Sequence, residues 1–320
     1  MIDLIIPMYN AEDTIARCLG SLIGQTKSRK FIITIVDDAS TDYSADIIDR
    51  FRFLLPINYL KLDKNLGAPG LVRQYGIDHT HCDYIMFLDA DDVLASTAAE
   101  RATRATIQKR PDVIFSSFWG ETGETDEYSL YSPNKITWLH GNVYSRKFLT
   151  DNNICFDDKM NEDGSFNLKC YWLAKNKMVI EEPLYYWMNN RKSLTRGNNN
   201  FLLDIAEDFI NTYVDAIDFI VKKDSALLND KIFQDTFAEK MSQFLEFCEG
   251  LEASKRDQSG AMAAIEKYVK QLKSYEIDNT KFVQTLIEKF NSFKIFVYTP
   301  RQHGLTYWLD KFNIPYEGVI

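Results

Sequence analysis

Three aspartates that follow a short apolar segment are the residues best suited to chemistry. Residues 84–88 run directly into Asp89, Asp91 and Asp92. An apolar run of this length, rich in aromatic and branched residues, predicts a strand buried on both faces. Ligands of open α/β sheets bind beyond the carboxyl ends of such strands, and carboxylates this close repel one another unless a positive group lies among them. The cluster therefore predicts a site for a hard divalent cation, which usually also holds phosphate.

A structural role for the same acids is the alternative. Asp92 could cap a helix over residues 93–109, because backbone N–H groups and the helix dipole favour an acid at the first turn. Aspartate is also common at strand and helix ends that bind nothing. The residues that the rest of the chain places beside the cluster decide between the two interpretations.

The composition is typical of a globular protein and shows no bias toward polyanionic partners. The chain has 320 residues, is 45% hydrophobic, and carries 37 Lys and Arg against 46 Asp and Glu, for a net charge of −9. That charge argues against a nucleic-acid or anionic-lipid partner, although it allows a local basic cleft. Five scattered cysteines without a C-x-x-C pair predict neither disulfides nor zinc and favour a reducing cytoplasm. No apolar run approaches the roughly 20 residues that span a bilayer, and residues 2–6 are too short for a signal peptide.

Strands that alternate with helices are predicted to position the acids. The predicted strands are residues 2–7, 31–36, 57–62 and 84–88, and the predicted helices are residues 11–25, 42–53 and 71–79. Asn10 is the expected N-cap of the first helix, whose apolar residues recur at helical spacing. This β-α-β order implies a parallel sheet with right-handed crossovers.

Beyond the acids the pattern becomes mixed and then helical. The next predicted elements are a helix at 96–108, a strand at 112–118, a loop or hairpin at 119–135, extended chain at 138–144, helices from 145 and from 161, a strand at 177–187 and a polar loop at 189–200. Amphipathic helices follow at 201–222, 230–250, 259–275 and 279–292, then a strand at 294–299 and a helix at 304–312. We therefore expect an α/β domain over residues 1–200 and a helical domain over residues 201–320 for packing, acceptor binding or oligomerisation.

Five motifs in a fixed order carry a resemblance to a known family. They are Ile-Ile-Pro-Met-Tyr-Asn at 5–10, Val-Asp-Asp-Ala-Ser-Thr-Asp at 36–42, Asn-Leu-Gly with Arg73 at 65–73, Asp-Ala-Asp-Asp at 89–92 and Glu-Asp at 162–163. Together they make the chain resemble the family 2 glycosyltransferases over about residues 1–195, although any one motif alone is weak. The resemblance implies a GT-A fold, which is a Rossmann-like, mostly parallel α/β sheet flanked by helices, here followed by a helical C-terminal region.

The resemblance implies a donor site for a UDP-sugar. Tyr9 would contact the nucleotide base, and Asp38 or alternatively Asp37 would accept the imide hydrogen of uracil. Asp89 would contact the ribose or the donor sugar, and Arg73 would lie near the diphosphate unless it simply pairs with a surface acid. The full set implied in donor binding is Pro7, Tyr9, Asn10, Asp37, Asp38, Asn65, Gly67, Arg73, Asp89, Ala90 and Glu162.

The resemblance also implies a metal ligand and a base. Asp91 would bind Mg²⁺ or Mn²⁺, and His140 would be a second ligand or a phosphate contact unless it only packs beside Trp138. Asp163 would be the general base. Two further groups have an open role: a possible diphosphate clamp or solvated loop of Arg191, Lys192, Ser193 and Thr195, and a possible acceptor platform or core strand of Tyr185, Tyr186 and Trp187.

The expected function is inverting transfer of a hexose or N-acetylhexosamine from a UDP-sugar to a hydroxyl of a glycan or cell-surface polymer. The base would lie on one face of the anomeric carbon and the leaving group on the other. The alternatives are a nucleotidyltransferase, whose glycine- and basic-rich N-terminal signature is missing, and a non-catalytic nucleotide-sugar-binding subunit. Peripheral attachment to the inner membrane face and a homo-oligomer through the helical tail are further expectations.

Overall fold

The computed structural model describes residues 1–25, 31–122, 127–133, 138–159, 161–190, 201–292 and 303–316. The chain divides into two compact units, Met1–Ser193 and Leu194–Ile320. Each unit is described by itself below.

The first unit is built on a mixed sheet of nine strands with helices packed around it. Its strands are β1 (Ile2–Met8), β2 (Phe31–Asp37), β3 (Ile57–Lys61), β4 (Tyr84–Phe87), β5 (Val93–Leu94), β6 (Val113–Thr122), β7 (Glu127–Tyr131), β8 (Val143–Ser145) and β9 (Lys177–Trp187). Its helices are α1 (Ile15–Gly20), α2 (Ser44–Phe51), α3 (Pro69–Asp78), α4 (Ala98–Lys109), α5 (Arg146–Asn152) and α6 (Glu162–Leu173). The strand order is β3-β2-β1-β4-β8-β6-β9-β5, with β7 paired to β6.

The first four strands are parallel and bring their carboxyl ends to one edge. β1 lies between β2 and β4, with Met8 opposite Asp37 and Ile5 opposite Phe87. The side chains of β1 and β4 are almost wholly buried, as expected for parallel strands covered on both faces. The segments that follow β1, β2 and β4 therefore leave the sheet side by side, which confirms the predicted α/β fold and its parallel core.

The strands of the second half of the sheet run in mixed directions. β8 is antiparallel to β4 and β6, β9 is parallel to β6, and β5 is antiparallel to β9. The β5–β9 pairing sets Leu94 opposite Tyr185 and Val93 opposite Tyr186. This pairing carries Tyr185 to the acidic segment that precedes β5.

Several predicted elements are wrong in extent. The first helix covers only Ile15–Gly20, and Asn10 is not its N-cap but a left-handed residue with φ of 47°. Its failure to extend has a cause, because the N–H groups of Ala11 and Glu12 bond Ser44 and Asp42 of the neighbouring loop instead of starting a helix.

Other differences lie further along the chain. Residues 93–94 form β5 rather than the start of a helix, and the helix begins at Ala98. The extended chain predicted at 138–144 is a strand only at Val143–Ser145. The hairpin alternative for residues 119–135 is confirmed by the pairing of β6 with β7. The strand predicted at 294–299 lies outside the described residues.

The second unit is helical over its described residues. Its helices are α7 (Phe201–Asp204), α8 (Ala206–Lys223), a 3₁₀ turn (Ser225–Asn229), α9 (Lys231–Ala253), α10 (Ser259–Ser274), α11 (Asn279–Ser292) and α12 (Leu305–Lys311). Each long helix buries one apolar stripe, and α9 buries most of its surface. Among the described helices of the whole chain, none combines the length and apolar character needed to cross a bilayer.

Candidate active site

The loops after β1 and β2 hold each other in place at the carboxyl edge of the sheet. The Asn10 amide N–H donates to Ser40 Oγ at 2.9 Å, and Asn10 Oδ1 accepts from the Thr41 N–H at 2.9 Å. Asparagine tolerates the left-handed backbone that this turn requires. Pro7 is half-buried before the turn, and Tyr9 is 53% exposed on it. Tyr9 therefore offers an accessible ring at the edge of the sheet.

The two adjacent aspartates after β2 are satisfied in different ways. Asp37 is fully buried and accepts hydrogen bonds from the Tyr59 hydroxyl and from the Ser40 N–H, with Lys61 Nζ 3.9 Å away. Asp38 accepts from the Leu66 N–H at 2.7 Å, and burial raises the pKa of its carboxyl. Of the two candidates for the imide contact, Asp37 is thus engaged by the protein's own donors.

The turn after β3 completes this side of the site. Asn65 Nδ2 donates to the Asp38 carbonyl at 3.2 Å, and the Gly67 N–H donates to Asn65 Oδ1 at 2.7 Å. Gly67 has a φ of 79°, a backbone conformation that residues other than glycine rarely adopt. The predicted donor-binding residues of the first three strands therefore form one hydrogen-bonded group of loops.

The acidic segment after β4 lies next to these loops and is crowded. Asp92 is 1% exposed, and its two oxygens accept from the Tyr185 hydroxyl at 2.5 Å and the Met188 N–H at 2.7 Å. The helix-cap interpretation of Asp92 is therefore wrong, since its partners belong to β9 and the residue after it. Asp91 accepts from Asn190 Nδ2 at 2.9 Å. Burial and the neighbouring acids raise the pKa of Asp92 well above its usual range, and burial and Asp89 also raise the pKa of Asp91.

A group of donor atoms suited to a cation lies in this segment. Oxygens of Asp89 and Asp92 and a ring nitrogen of His140 lie within 4.8 Å of one another. Two carboxylates and an imidazole are ligands that Mn²⁺ accepts, and a cation would offset the repulsion from Asp91 and Asp89 that helps to raise the pKa of Asp92. Of the two predicted ligands, His140 belongs to this group and Asp91 does not.

Arg73 joins the acidic segment to the start of α6. Its Nη2 bonds Asp89 Oδ1 at 2.7 Å and its Nη1 bonds Glu162 Oε1 at 2.6 Å, while the side chains of Arg73 and Glu162 are about one-tenth exposed. Burial disfavours the charge on Arg73, but Asp89 and Glu162 outweigh that effect and raise the pKa of the guanidinium. In turn Arg73 overcomes burial and lowers the pKa of Asp89. Arg73 is thus a buried bridge rather than the partner of a surface acid.

Asp163 follows Glu162 and is held beside this bridge. Its Oδ1 accepts from the Gly164 N–H at 2.8 Å. Burial and the adjacent Glu162 raise the pKa of Asp163 to about 7. A carboxyl with that pKa is poised to accept a proton near neutral pH, as a general base must.

A close approach between two helices sets the position of this acidic pair. Gly70 lies in the first turn of α3, and a Cβ placed there would lie 2.5 Å from Glu162 Cγ and 2.6 Å from the Asp157 carbonyl oxygen. Glycine is therefore required for α3 and α6 to meet as closely as they do.

Three residues of the site were not predicted in these roles. Tyr185, Asn190 and Gly70 reach the acids through strand pairing, chain return and helix packing, which leave no local sequence signal. Ala90 is buried between the predicted acids. The predicted clamp residues Arg191, Lys192, Ser193 and Thr195 lie outside the described residues.

The parallel strands, with the turn after β1 and the acids after β4 at their carboxyl edge, have the arrangement of a GT-A fold. The sequence profile of the glycosyl transferase family 2 matches residues 3–162, half of the chain, so the chain belongs to that family.

The chain is similar in sequence to two poly(ribitol-phosphate) transferases. It is 27% identical over 203 residues to the poly(ribitol-phosphate) beta-N-acetylglucosaminyltransferase TarS of Staphylococcus aureus strain Mu50, covering 59% of this chain and 35% of TarS. It is 30% identical over 206 residues to the poly(ribitol-phosphate) beta-glucosyltransferase of Bacillus spizizenii, covering 59% of this chain and 32% of that protein. The chain thus spans about one third of the length of these relatives.

Solved structures share the fold. The crystal structure of S. aureus TarS 1–349 in complex with UDP-GlcNAc matches with a TM-score of 0.71 and 21% identity, over 91% of this chain and 89% of that one. The mannosyltransferase PcManGT from Pyrobaculum calidifontis, in complex with GDP-Man and Mn²⁺, matches with a TM-score of 0.50 and 15% identity, over 68% and 64%. The fold class predicted from the sequence is therefore confirmed.

Proposed function

We propose that this chain transfers a sugar from a UDP-sugar to an acceptor hydroxyl, with inversion at the anomeric carbon. The observation that carries the proposal is the Arg73 bridge, which ties Asp89 of the acidic segment to Glu162 and so holds Asp163 beside it. The similarity to TarS, whose structure contains UDP-GlcNAc, supports UDP as the carrier and a hexose or N-acetylhexosamine as the sugar.

The nucleoside occupies the loops after the first three strands. Asp38 accepts the uracil imide, because Ser40 and Tyr59 bond both carboxylate oxygens of Asp37, whereas the Leu66 N–H bonds only Oδ1 of Asp38. The exposed ring of Tyr9 covers the base. The remaining donor-binding positions of this proposal are Pro7, Asn10, Asn65, Gly67 and Ala90.

Asp89, Asp92 and His140 would hold a divalent cation. When bound, Mn²⁺ or Mg²⁺ neutralises charge on the departing diphosphate. Asp92 is fixed for this role by Tyr185, and Asp89 is kept ionised by Arg73. Tyr185 and Arg73 thereby keep the carboxylate oxygens of Asp92 and Asp89 close together in spite of their mutual repulsion.

Asp163 removes the proton of the acceptor hydroxyl as that oxygen attacks the anomeric carbon. Its carboxyl, with a pKa of about 7, accepts the proton readily at neutral pH. The diphosphate leaves from the opposite face, so the new bond has the inverted configuration.

The test is an assay of UDP release from UDP-GlcNAc and from UDP-glucose, with MnCl₂ or with EDTA. We expect UDP release that requires the metal and is lost in His140→Ala, and a transfer product of inverted configuration by NMR. Metal-independent release, or a product that retains the donor's configuration, would contradict the proposal. A product that carries the α-phosphate would indicate a nucleotidyltransferase instead.

A further inference from the structure

Beside the acidic segment lies a group of aromatic side chains that the proposed chemistry does not use. Tyr131, Trp138 and Trp187 pack on the core of the first unit but remain partly exposed. We call these three residues the aromatic wall. Trp138 and Trp187 have ring centroids 5.2 Å apart in an edge-to-face arrangement, and Tyr131 lies 5.0 Å from Trp138 and 6.5 Å from Trp187.

The register of the sheet puts the wall on one face. Tyr131 is opposite Phe118, and Trp187 is opposite Gly120, two residues along β6 on the same face. Gly120 makes room for the rings, because a Cβ there would lie 2.6 Å from the Tyr131 ring and 3.3 Å from that of Trp187. The rings of Tyr131 and Trp187 therefore pack against the backbone of Gly120, which has no side chain to displace them.

The wall is continuous with the proposed catalytic residues. The His140 ring lies 5.4 Å from Trp187, 5.7 Å from Trp138 and 4.8 Å from Tyr185. Tyr185 in turn donates to Asp92 and accepts from the Asp89 N–H. His140 and Tyr185 thus connect the aromatic wall to the carboxylates of Asp89 and Asp92.

We propose that the aromatic wall is the acceptor subsite and that it binds a pyranose ring, so the acceptor is a glycan. This inference rests on the proposed function. A pyranose has an apolar face of C–H groups that can lie on an aromatic ring while its hydroxyls stay hydrated. A linear polyol phosphate offers no such face. The wall therefore favours a different acceptor from the one in the names of the two poly(ribitol-phosphate) relatives.

The first experiment measures acceptor binding without a donor. Saturation-transfer NMR is recorded for cellotriose, maltotriose and triacetylchitotriose, and for ribitol 5-phosphate and a glycerol-phosphate trimer. We expect at least one trisaccharide to bind through its ring C–H protons, with affinity lowered roughly tenfold by Trp187→Ala, since a large stacking contact is removed. Trp187→Phe, which keeps a ring, should restore most of the binding and guards against a folding defect.

The matched control is Leu130→Ala. Leu130 is 54% exposed and adjoins Tyr131 on β7, but it points to the other face of the strand, so its removal should leave binding unchanged. In the transfer assay, Trp187→Ala should raise the KM for the trisaccharide much more than the KM for UDP-GlcNAc.

Two outcomes overturn the inference. One is binding of the polyol phosphates with no signal from any trisaccharide. The other is trisaccharide binding that Trp187→Ala and Tyr131→Ala leave unchanged. Failure of the proposed function has a separate signature, because trisaccharide binding by NMR without any release of UDP would leave the wall intact and reject the transferase activity.

Discussion

The two sides of the candidate site satisfy their carboxylates in opposite ways. On the nucleoside side, Asp37 is fully buried yet receives hydrogen bonds from Tyr59 and Ser40. On the side that follows β4, burial and mutual repulsion raise the pKa values of Asp91, Asp92 and Asp163. Asp37 on the first side has donors on both carboxylate oxygens, whereas the second side holds more negative charge than its hydrogen-bond donors balance.

This difference distinguishes a structural frame, meaning loops that a satisfied carboxylate holds in place, from a reaction site. A buried carboxylate with its own donors costs little and fixes the loops that surround it. Acids gathered without sufficient positive charge are destabilising in the free protein and gain most from a bound cation or a substrate proton. We infer that the nucleoside side positions the donor and that the acidic side performs the chemistry.

The variant expected to have the largest effect is Asp163→Asn, which tests whether the acidic side performs the chemistry. It keeps the shape of the side chain and removes its basicity. Turnover should fall by about 10²–10⁴-fold, the usual contribution of a general base. Donor binding, measured by calorimetry with UDP-GlcNAc, should change little. Asp158→Asn is the control, because Asp158 is an exposed acid of the segment just before α6. Equal activity of Asp163→Asn and Asp158→Asn would remove Asp163 from the mechanism.

Arg73→Gln tests how much of the acidic side depends on the bridge. Removing a buried cation that bonds Asp89 and Glu162 should cost about 3–5 kcal/mol of unfolding free energy at pH 7, an upper figure because Asp89 is one-third exposed. In the wild type the lowered pKa of Asp89 contributes stability above its unfolded pKa of about 3.9, lost as pH falls through the lower folded value. In the variant that contribution is absent. The difference in unfolding free energy between wild type and variant, measured by urea unfolding, should therefore become smaller as the pH is lowered. Arg101→Gln, which loses an exposed ion pair with Glu182 and an exposed hydrogen bond to Thr97, should cost below about 1 kcal/mol.

How far the sequence predicted this site depends on the range of the interactions involved. The acids at 89–92 and 162–163 and the turn at 65–67 were predicted because each motif is local and follows a strand or opens a helix. The strand at 177–187 was also predicted with its observed bounds. The partners that satisfy these residues were not predicted, because they arrive from elsewhere in the chain. Tyr185 meets Asp92 only through the β5–β9 pairing, which nothing in residues 93–94 reveals.

The predicted extent of the first helix was wrong for a related reason. Its apolar spacing is helical, but the competing side-chain acceptors Ser40, Asp42 and Ser44 lie more than 25 residues away. Local periodicity cannot show that a backbone N–H has a distant partner.

The pH dependence of activity provides a further test of the acidic side. The free enzyme must hold Asp163 deprotonated to accept a proton, and its pKa is raised to about 7. The value of kcat/KM should therefore rise about tenfold per pH unit below pH 7 and level off above it. The profile is measured with saturating Mn²⁺ across pH 5–9. An acid limb near pH 4, typical of an unperturbed carboxyl, would contradict the assigned environment of Asp163.

Gly70→Ala probes the position of the acidic pair rather than its charge. The added Cβ must displace Glu162 or the Asp157 carbonyl, which should cost about 1–3 kcal/mol of stability. The shift at the start of α6 should lower kcat by up to about 10²-fold, with a smaller change in donor KM. Gly20→Ala is the control, since a Cβ there meets nothing within 4 Å. Unchanged kcat in a folded Gly70→Ala protein would show that α6 can move without loss of catalysis.

The smallest expected effect lies on the nucleoside side. Tyr59→Phe removes one donor to the buried Asp37 and should lower the unfolding free energy by about 1 kcal/mol, because the Ser40 N–H and Lys61 remain near the carboxylate. We expect kcat to stay close to wild type, since Tyr59 supports the frame and contacts no reacting group. Urea unfolding and steady-state kinetics measure the two quantities on one preparation. A loss of turnover larger than the loss of stability would place chemistry on this side of the site, and the contrast between frame and reaction site would then fail.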